Sequence, residues 1–255
     1  MSKEFPGSTQ KELIDREHSL SSKYGRLFLG RKSLWFLVKY EFISHFITPV
    51  PGALGFWLRK VFYPRILKKI GTGVVFGRNI TLRHPHKIAV GDHTFIDDNA
   101  VLDAKGTANS GIQIGQNVYI GRNTILSCKE GSIALGDYCN ISANCQLLSE
   151  TEIRLGKYCF LAGGCYLVAG GNHNFRDTST PIMFQPSSTK GGIHIGEDVW
   201  LGAGVIVLDG VEVGRGSIVG ASAVVAASLP EYSYAVGGRT LRIRDRRSLD
   251  EPDKV

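Results

Sequence analysis

Seven histidines and five cysteines are the residues of this 255-residue chain best suited to proton transfer, nucleophilic attack or metal binding. His173 lies in a polar, glycine-rich stretch, Gly170-Gly171-Asn172-His173-Asn174-Phe175-Arg176-Asp177. A neutral imidazole there could take the proton of a hydroxyl as the oxygen attacks a carbonyl, because imidazole titrates near pH ~6.5. A lone histidine in a polar loop is also ordinary surface, so composition alone leaves its role open. Asn172 and Asn174 either hold a substrate or serve as turn residues. Asp177 either orients the imidazole or closes the turn. The other histidines have plainer settings. His18 is in a polar N-terminal arm, His45 in an apolar segment, His84, His86 and His93 around the opening of a repeat, and His194 beside an apolar anchor.

The cysteines follow a register. Cys139, Cys145, Cys159 and Cys165 each fall four residues after an aliphatic residue, namely Leu135, Ile141, Leu155 and Leu161. Thr94, Ala100, Val118, Thr124, Val199, Val205, Ser217 and Ala223 fill the same slot elsewhere. The slot takes a small inward side chain, and a buried thiol behaves as a small hydrophobe. No C-x₂-C pair is present, so neither a zinc site nor any other metal requirement is expected. Cys128 falls outside the register.

The elements that must position these residues are read from one repeat. Aliphatic anchors recur every six residues in triplets: Val90, Ile96, Leu102; Ile114, Ile120, Leu126; Leu135, Ile141, Leu147; Leu155, Leu161, Leu167; Ile195, Leu201, Val207; Val213, Val219, Val225. Phe76 and Leu82 form a weaker opening pair. Between triplets the step is 12, 9, 8, 28 and 6 residues, so every insertion follows a third hexapeptide. Helices repeat near 3.6 and ordinary strands near 2, and neither gives triplets of six. A mainly β, three-sided parallel solenoid does, with each coil covering the interior of the next. The reading is a polar arm and apolar, basic helical extension over 1–70, a solenoid over 71–238 with an inserted loop at 170–192, and a basic tail over 239–255.

Charge separates these parts. Residues 1–70 hold 13 Lys/Arg against 5 Asp/Glu and 12 of the 24 aromatic residues, whereas 71–238 hold 11 against 14. Helices are expected over Ser33–Ile47 and Ala53–Ile70, the second kinked at Pro64. Their aromatics either cap the open end of the solenoid or face a membrane surface, with Arg59, Lys60, Arg65, Lys68 and Lys69 toward anionic head groups. The N-terminus has no apolar run behind it, and Leu34–Val50 is interrupted by Lys39, Glu41 and His45. The expectation is a cytoplasmic protein, possible peripheral contact at the inner membrane face running through residues 33–70. Nothing points to a nucleic-acid partner.

Two runs, Asp-Val-Trp-Leu-Gly-Ala-Gly (198–204) and Val-Gly-Ala-Ser-Ala-Val-Val (219–225), resemble the hexapeptide-repeat acyltransferases, which include galactoside, maltose and polysaccharide O-acetyltransferases. The resemblance covers about 74–238. It implies a left-handed parallel β-helix, a homotrimer with active sites between subunits, and acetyl-CoA as acyl donor. It implies His173 as general base, Trp200, Ala203 and Ala221 along the CoA tail, and Arg242 or Arg244 at the CoA phosphates. The Pro common near the end of the repeats in that family is absent from Gly237–Arg247, which leaves open which arginine serves. Asn144, Asn172, Asn174 and Asp177 are the acceptor-side candidates. The implied reaction is O-acetylation of a sugar hydroxyl in cell-surface polysaccharide or glycolipid synthesis. The alternatives are an N-acetyltransferase acting on an amino-sugar nucleotide and a non-catalytic β-helix scaffold.

Overall fold

The computed structural model describes residues 19–237 and 242–245. Strands two to four residues long wind into a three-walled β-solenoid; one coil, for example, runs Glu152–Leu155, Phe160–Leu161, Tyr166–Ala169. The walls are sheets of seven, nine and seven strands, with coil upon coil in parallel register. On the first wall Val90 stacks on Ile114, Ile114 on Leu135, Leu135 on Leu155, Leu155 on Ile195 and Ile195 on Val213. These anchors are at most 5% exposed, and each contributes about 1.5–3 kcal/mol of burial.

The turns explain the rest of the period. The third residue after each first- or second-wall anchor adopts a left-handed conformation, as in Asn99, Asn123, Asn144, Gly164, Gly204 and Ser222 between the second and third walls. The residue directly after an anchor is often glycine because the next coil lies against it. A Cβ on Gly202 would sit 2.6 Å from the Ala221 nitrogen. In the inward slot, Thr94 and Thr124 donate to the Gly115 and Ser142 carbonyls at 2.9 Å, and Cys159 and Cys165 approach the Gly196 and Gly202 carbonyls at 3.0 and 3.2 Å. The small residues there are packed core, as their spacing implied.

Three features go beyond the sequence reading. The first coil begins with the strand Lys69–Ile70, beside the solenoid start read at 71: Ile70, Phe76 and Leu82 form a triplet whose first anchor was concealed at the end of a helical pattern. Leu229 and Ala235, both buried, open an eighth coil, and Ser233–Val236 then pairs antiparallel with Arg242–Asp245. Cys128 does have a row. With Ala104, Ser149 and Ala169 it lies two residues after a third-wall anchor, fully buried, and burial pushes its thiol up to about 12.

Before the solenoid come α1 (Leu20–Tyr24), α2 (Leu34–Phe42) and α3 (Gly52–Phe62). The Ser33 hydroxyl accepts the Phe36 N–H and starts α2, which continues into a wider turn over Ile43–Ile47. Helix α3 stops at Phe62 because Pro64 follows, eight residues short of the expected end. The inner faces close the end of the prism. Tyr40 donates to the Leu82 carbonyl at 2.7 Å, and Tyr63, fully buried, packs edge-on against Phe76 at 4.9 Å. Of the two readings of this segment, the membrane-facing one set Arg59 among the outward cations. It is instead 1% exposed and donates to the carbonyls of Phe76, Val50 and Thr48 at 2.9, 2.6 and 3.3 Å. No described helix is long and apolar enough to cross a membrane.

Candidate active site

The inserted loop leaves the prism at the corner between the third and first walls, after Ala169. It opens as a short hairpin in which Asn172 pairs with Ser188 and His173 with Ser187. Both ends are fastened by Asp209, a carboxylate only 6% exposed. Asp209 Oδ2 accepts Asn172 Nδ2 at 2.8 Å and the Lys190 N–H at 2.6 Å, and Oδ1 accepts the Gly192 N–H at 3.0 Å. A buried carboxylate is retained only where such donors replace water. Asp209 occupies the corner row otherwise held by Ala104, Cys128, Ser149 and Ala169. Sequence reasoning missed it, although an acid in a row of small inward residues was the available signal.

Inside the loop Gln185 is 3% exposed and donates to the carbonyls of Asp177 and Thr180 at 2.7 and 2.8 Å. Asp177 closes a turn, accepting the Ser179 N–H at 2.8 Å and its hydroxyl at 2.6 Å. Bonds from Ser179 and Thr180 hold its carboxyl down at about 2. Asn174 accepts the Arg176 N–H at 3.0 Å. His173 lies at the base of this structure with its side chain exposed and its own N–H on the Gly171 carbonyl at 3.0 Å. Farther out Phe175, Ile182 and Met183 are 73%, 55% and 45% exposed.

The cofactor-side candidates lie elsewhere on the prism. Trp200 points outward from the second wall, 47% exposed, stacked on Phe160 at 6.2 Å. Ala203 and Ala221 sit exposed on consecutive coils at the corner between the second and third walls, joined by the Ser222 N–H to the Ala203 carbonyl at 2.8 Å. Gly204 lies beside them with only the Ser222 hydroxyl near, at 3.7 Å, so backbone is accessible at that corner and an extended ligand can lie close to it. Asn144 belongs to this corner too, accepting Asn123 Nδ2 at 3.1 Å, and not to the loop. Arg242 and Arg244 are on the final strand, and their side chains lie outside the described residues.

The structure therefore groups His173 with Asn172, Asn174 and Asp177, and Trp200 with Ala203, Ala221 and Asn144. Within one chain the two groups are separated by the third wall, the six steps from Ala203 to Asp209, or roughly 15–20 Å at the strand rise. Among the described residues no group of three or more His, Cys, Asp or Glu could hold a metal ion.

Comparison with known proteins agrees with the repeat. Residues 192–227 match the family described as bacterial transferase hexapeptide (six repeats), and residues 111–149 match the hexapeptide repeat of succinyl-transferase. A protein of Mycobacterium tuberculosis named "Probable acetyltransferase" is 32% identical over 136 residues, 53% of this chain and 45% of its own length. The galactoside O-acetyltransferase of Lactococcus lactis is 38% identical over 68 residues, 25% of this chain and 33% of its own length. The chain thus spans less than half the length of these curated relatives. Among solved structures, AntD, an N-acyltransferase of Bacillus cereus in complex with dTDP and 3-hydroxybutyryl-CoA, is 23% identical and covers 70% of this chain and 82% of its own, with a TM-score of 0.48. In its six-residue period, its three-walled solenoid and the two family matches, the chain resembles the hexapeptide-repeat transferases over residues 111–149 and 192–227.

Proposed function

We propose that the protein transfers an acetyl group from acetyl-CoA to a hydroxyl of a saccharide destined for cell-surface polysaccharide or glycolipid, with His173 as general base. The observation that carries this reading is the setting of His173: exposed, on a hairpin whose two ends are fixed by one buried carboxylate, at the corner where the prism admits insertions. The imidazole takes the acceptor's proton as its oxygen attacks the thioester carbonyl. The tetrahedral intermediate then expels the CoA thiolate, which takes the proton back from the imidazolium. The donor is already an activated thioester, so no protein nucleophile is needed. All five cysteines are buried, which agrees with that.

The pantetheine arm lies along the accessible corner of Ala203 and Ala221, with Trp200 beside it and Arg242 or Arg244 at the CoA phosphates. Because that corner and His173 are a wall apart in one chain, the site forms between subunits of a homotrimer. The exposed Phe175, Ile182 and Met183 supply loop surface for a neighbour to cover. The enzyme works in the cytoplasm at the inner membrane face, held there through residues 33–70.

The test follows free thiol release from acetyl-CoA with candidate sugars; the buried cysteines keep the protein's own background low. His173→Ala is expected to lower turnover at least ~10²-fold while acetyl-CoA binding persists. Unchanged turnover removes the assigned base. Absence of acetyl-CoA binding favours a scaffold, and exclusive use of amino-sugar nucleotides makes the enzyme an N-acetyltransferase.

A further inference from the structure

Two cavities flank the start of α2. The larger, about 730 Å³, opens between α1, the loop before α2 and the insertion corner of the first coils. Arg26, Arg31, Lys32, Lys87 and Lys105 line it, against a single lining carboxylate, Glu130. Glu130 is already engaged by the N–H and hydroxyl of Thr107, at 2.8 and 3.0 Å. The smaller cavity, about 370 Å³, shares Arg31 and adds Lys39, Arg65 and Lys68, with no carboxylate in its lining. On its wall, burial and then the charges of Arg31, His84 and Lys87 hold the His86 pKa down at about 4.

Beside the mouths of both cavities α2 turns an apolar face to solvent. Leu34, Trp35 and Val38 are 77%, 68% and 50% exposed, and Phe42 and Phe46, ring to ring at 5.6 Å, continue the face at 46% and 65%. Leu34 also lines the larger cavity and Trp35 the smaller, and the Lys39 ammonium lies over the Trp35 ring at 5.2 Å. A contiguous apolar patch of this kind marks an interaction surface. Cations crowded at its rim, over cavities able to take phosphate oxygens, match one class of partner, an amphiphile with an anionic phosphate head.

We propose that this end of the molecule docks on an anionic phospholipid bilayer, with the outer face of α2 at the acyl boundary and lipid phosphates in the two basic cavities. This rests on the membrane-facing reading of residues 33–70 and names what that surface meets. Since each cation near an anionic surface strengthens attachment about five-fold, removing two should weaken it roughly thirty-fold.

The test uses the full chain with sedimenting vesicles of phosphatidylcholine, with and without phosphatidylglycerol. Acetyl transfer in solution is measured in parallel, so failure of the catalytic reading shows separately. Arg31, Lys32 and Trp35 are exposed, and circular dichroism checks that their variants fold. The expected result is capture by the anionic vesicles, weakened roughly thirty-fold in Arg31→Ala/Lys32→Ala. Trp35→Ser should lower capture by both kinds of vesicle. Equal capture by neutral and anionic vesicles, indifferent to the double variant, overturns the phosphate assignment and leaves the membrane-facing reading standing. No capture by either overturns both. Tight binding of inorganic phosphate without vesicle capture makes the cavities a free-anion site and overturns the lipid as its source. Self-association abolished by Trp35→Ser, without vesicle capture, makes the occupant a second copy and overturns the proposal.

Discussion

Replacing Asp209 separates the anchorage of the His173 hairpin from the prism beneath it. In Asp209→Asn the one remaining oxygen can still accept two of the three donors, Asn172 Nδ2 and the Lys190 N–H, but the new amide group faces the Gly192 N–H. One hydrogen bond to a charged group is lost, at about 1.5–3 kcal/mol. Asp209→Ala loses all three and strands two backbone N–H groups, for about 4–6 kcal/mol once non-additivity is allowed for. The cost falls on the opening equilibrium of residues 172–190, since the anchors on either side, Leu167 and Val207, remain packed. A cost of ~2 kcal/mol corresponds to about thirty-fold more open loop, and amide exchange read by mass spectrometry measures it directly. The expected pattern is faster exchange across 172–190, graded Asn below Ala, with 152–169 close to wild type. Acetyl transfer should fall in the same order while acetyl-CoA binding holds. Unaltered loop exchange in Asp209→Ala, or equal acceleration in every coil, refutes the assignment of Asp209 as the loop's anchor.

Three further outcomes follow from the packing. Gly202→Ala drives a Cβ to 2.6 Å from the Ala221 nitrogen and should cost about 1–3 kcal/mol in thermal melts, whereas Gly163→Ala, with its nearest neighbour at 3.4 Å, should be close to neutral. Arg59→Met strands the Phe76 and Val50 carbonyls at the capped end, and about 2–4 kcal/mol of lost stability should appear as earlier unfolding of the first coils. His86 is held at about 4 in the folded chain against ~6.5 when unfolded, so the unfolded chain binds the proton first. The stability of the cap is therefore full above pH ~6.5 and declines as pH falls toward 4. Because the ring is only about half buried, the loss is about 1–2 kcal/mol, and His86→Phe should flatten melting temperature against pH over that window.

Much of this architecture was legible because a six-residue period leaves two inward positions on each wall, and those positions tolerate few residue types. The anchors and the small slot four residues later were both readable, and Cys139, Cys145, Cys159 and Cys165 behave as that slot requires. Ile70 escaped because it ends a segment whose aromatic spacing reads as helix, even though Gly71 behind it is the mark of an anchor. Cys128 escaped because its row belongs to the insertion corner, where loop length varies and hides the register. Arg59 and Asp209 were misread or missed for a common reason. Each is a charged residue whose partners are mostly backbone groups elsewhere in the chain, and sequence patterns do not display backbone carbonyls and N–H groups as partners. The loop around His173 was recognisable as an insertion, but its hairpin depends on Gln185 and Asp209, contacts made across 5 to 37 residues. The outward face of α2 was ambiguous in sequence because capping and surface docking call for the same apolar residues. The structure uses Tyr40 and Tyr63 for the first and leaves Trp35 and Phe46 in solvent.

The central claim is that His173 of one copy acts on a donor held at the Ala203–Ala221 corner of another. Complementation between two inactive variants tests it most directly. One carries His173→Ala, the other Ala221→Trp, which fills the exposed corner without entering the core. Unfolded together in equal amounts and refolded into mixed assemblies, they place an intact imidazole beside an intact corner at about one interface in four. The account predicts recovery of about a quarter of wild-type turnover from two proteins that are inactive alone. No recovery, with mixed assemblies shown to form, would place both groups of residues in one chain's site and contradict it.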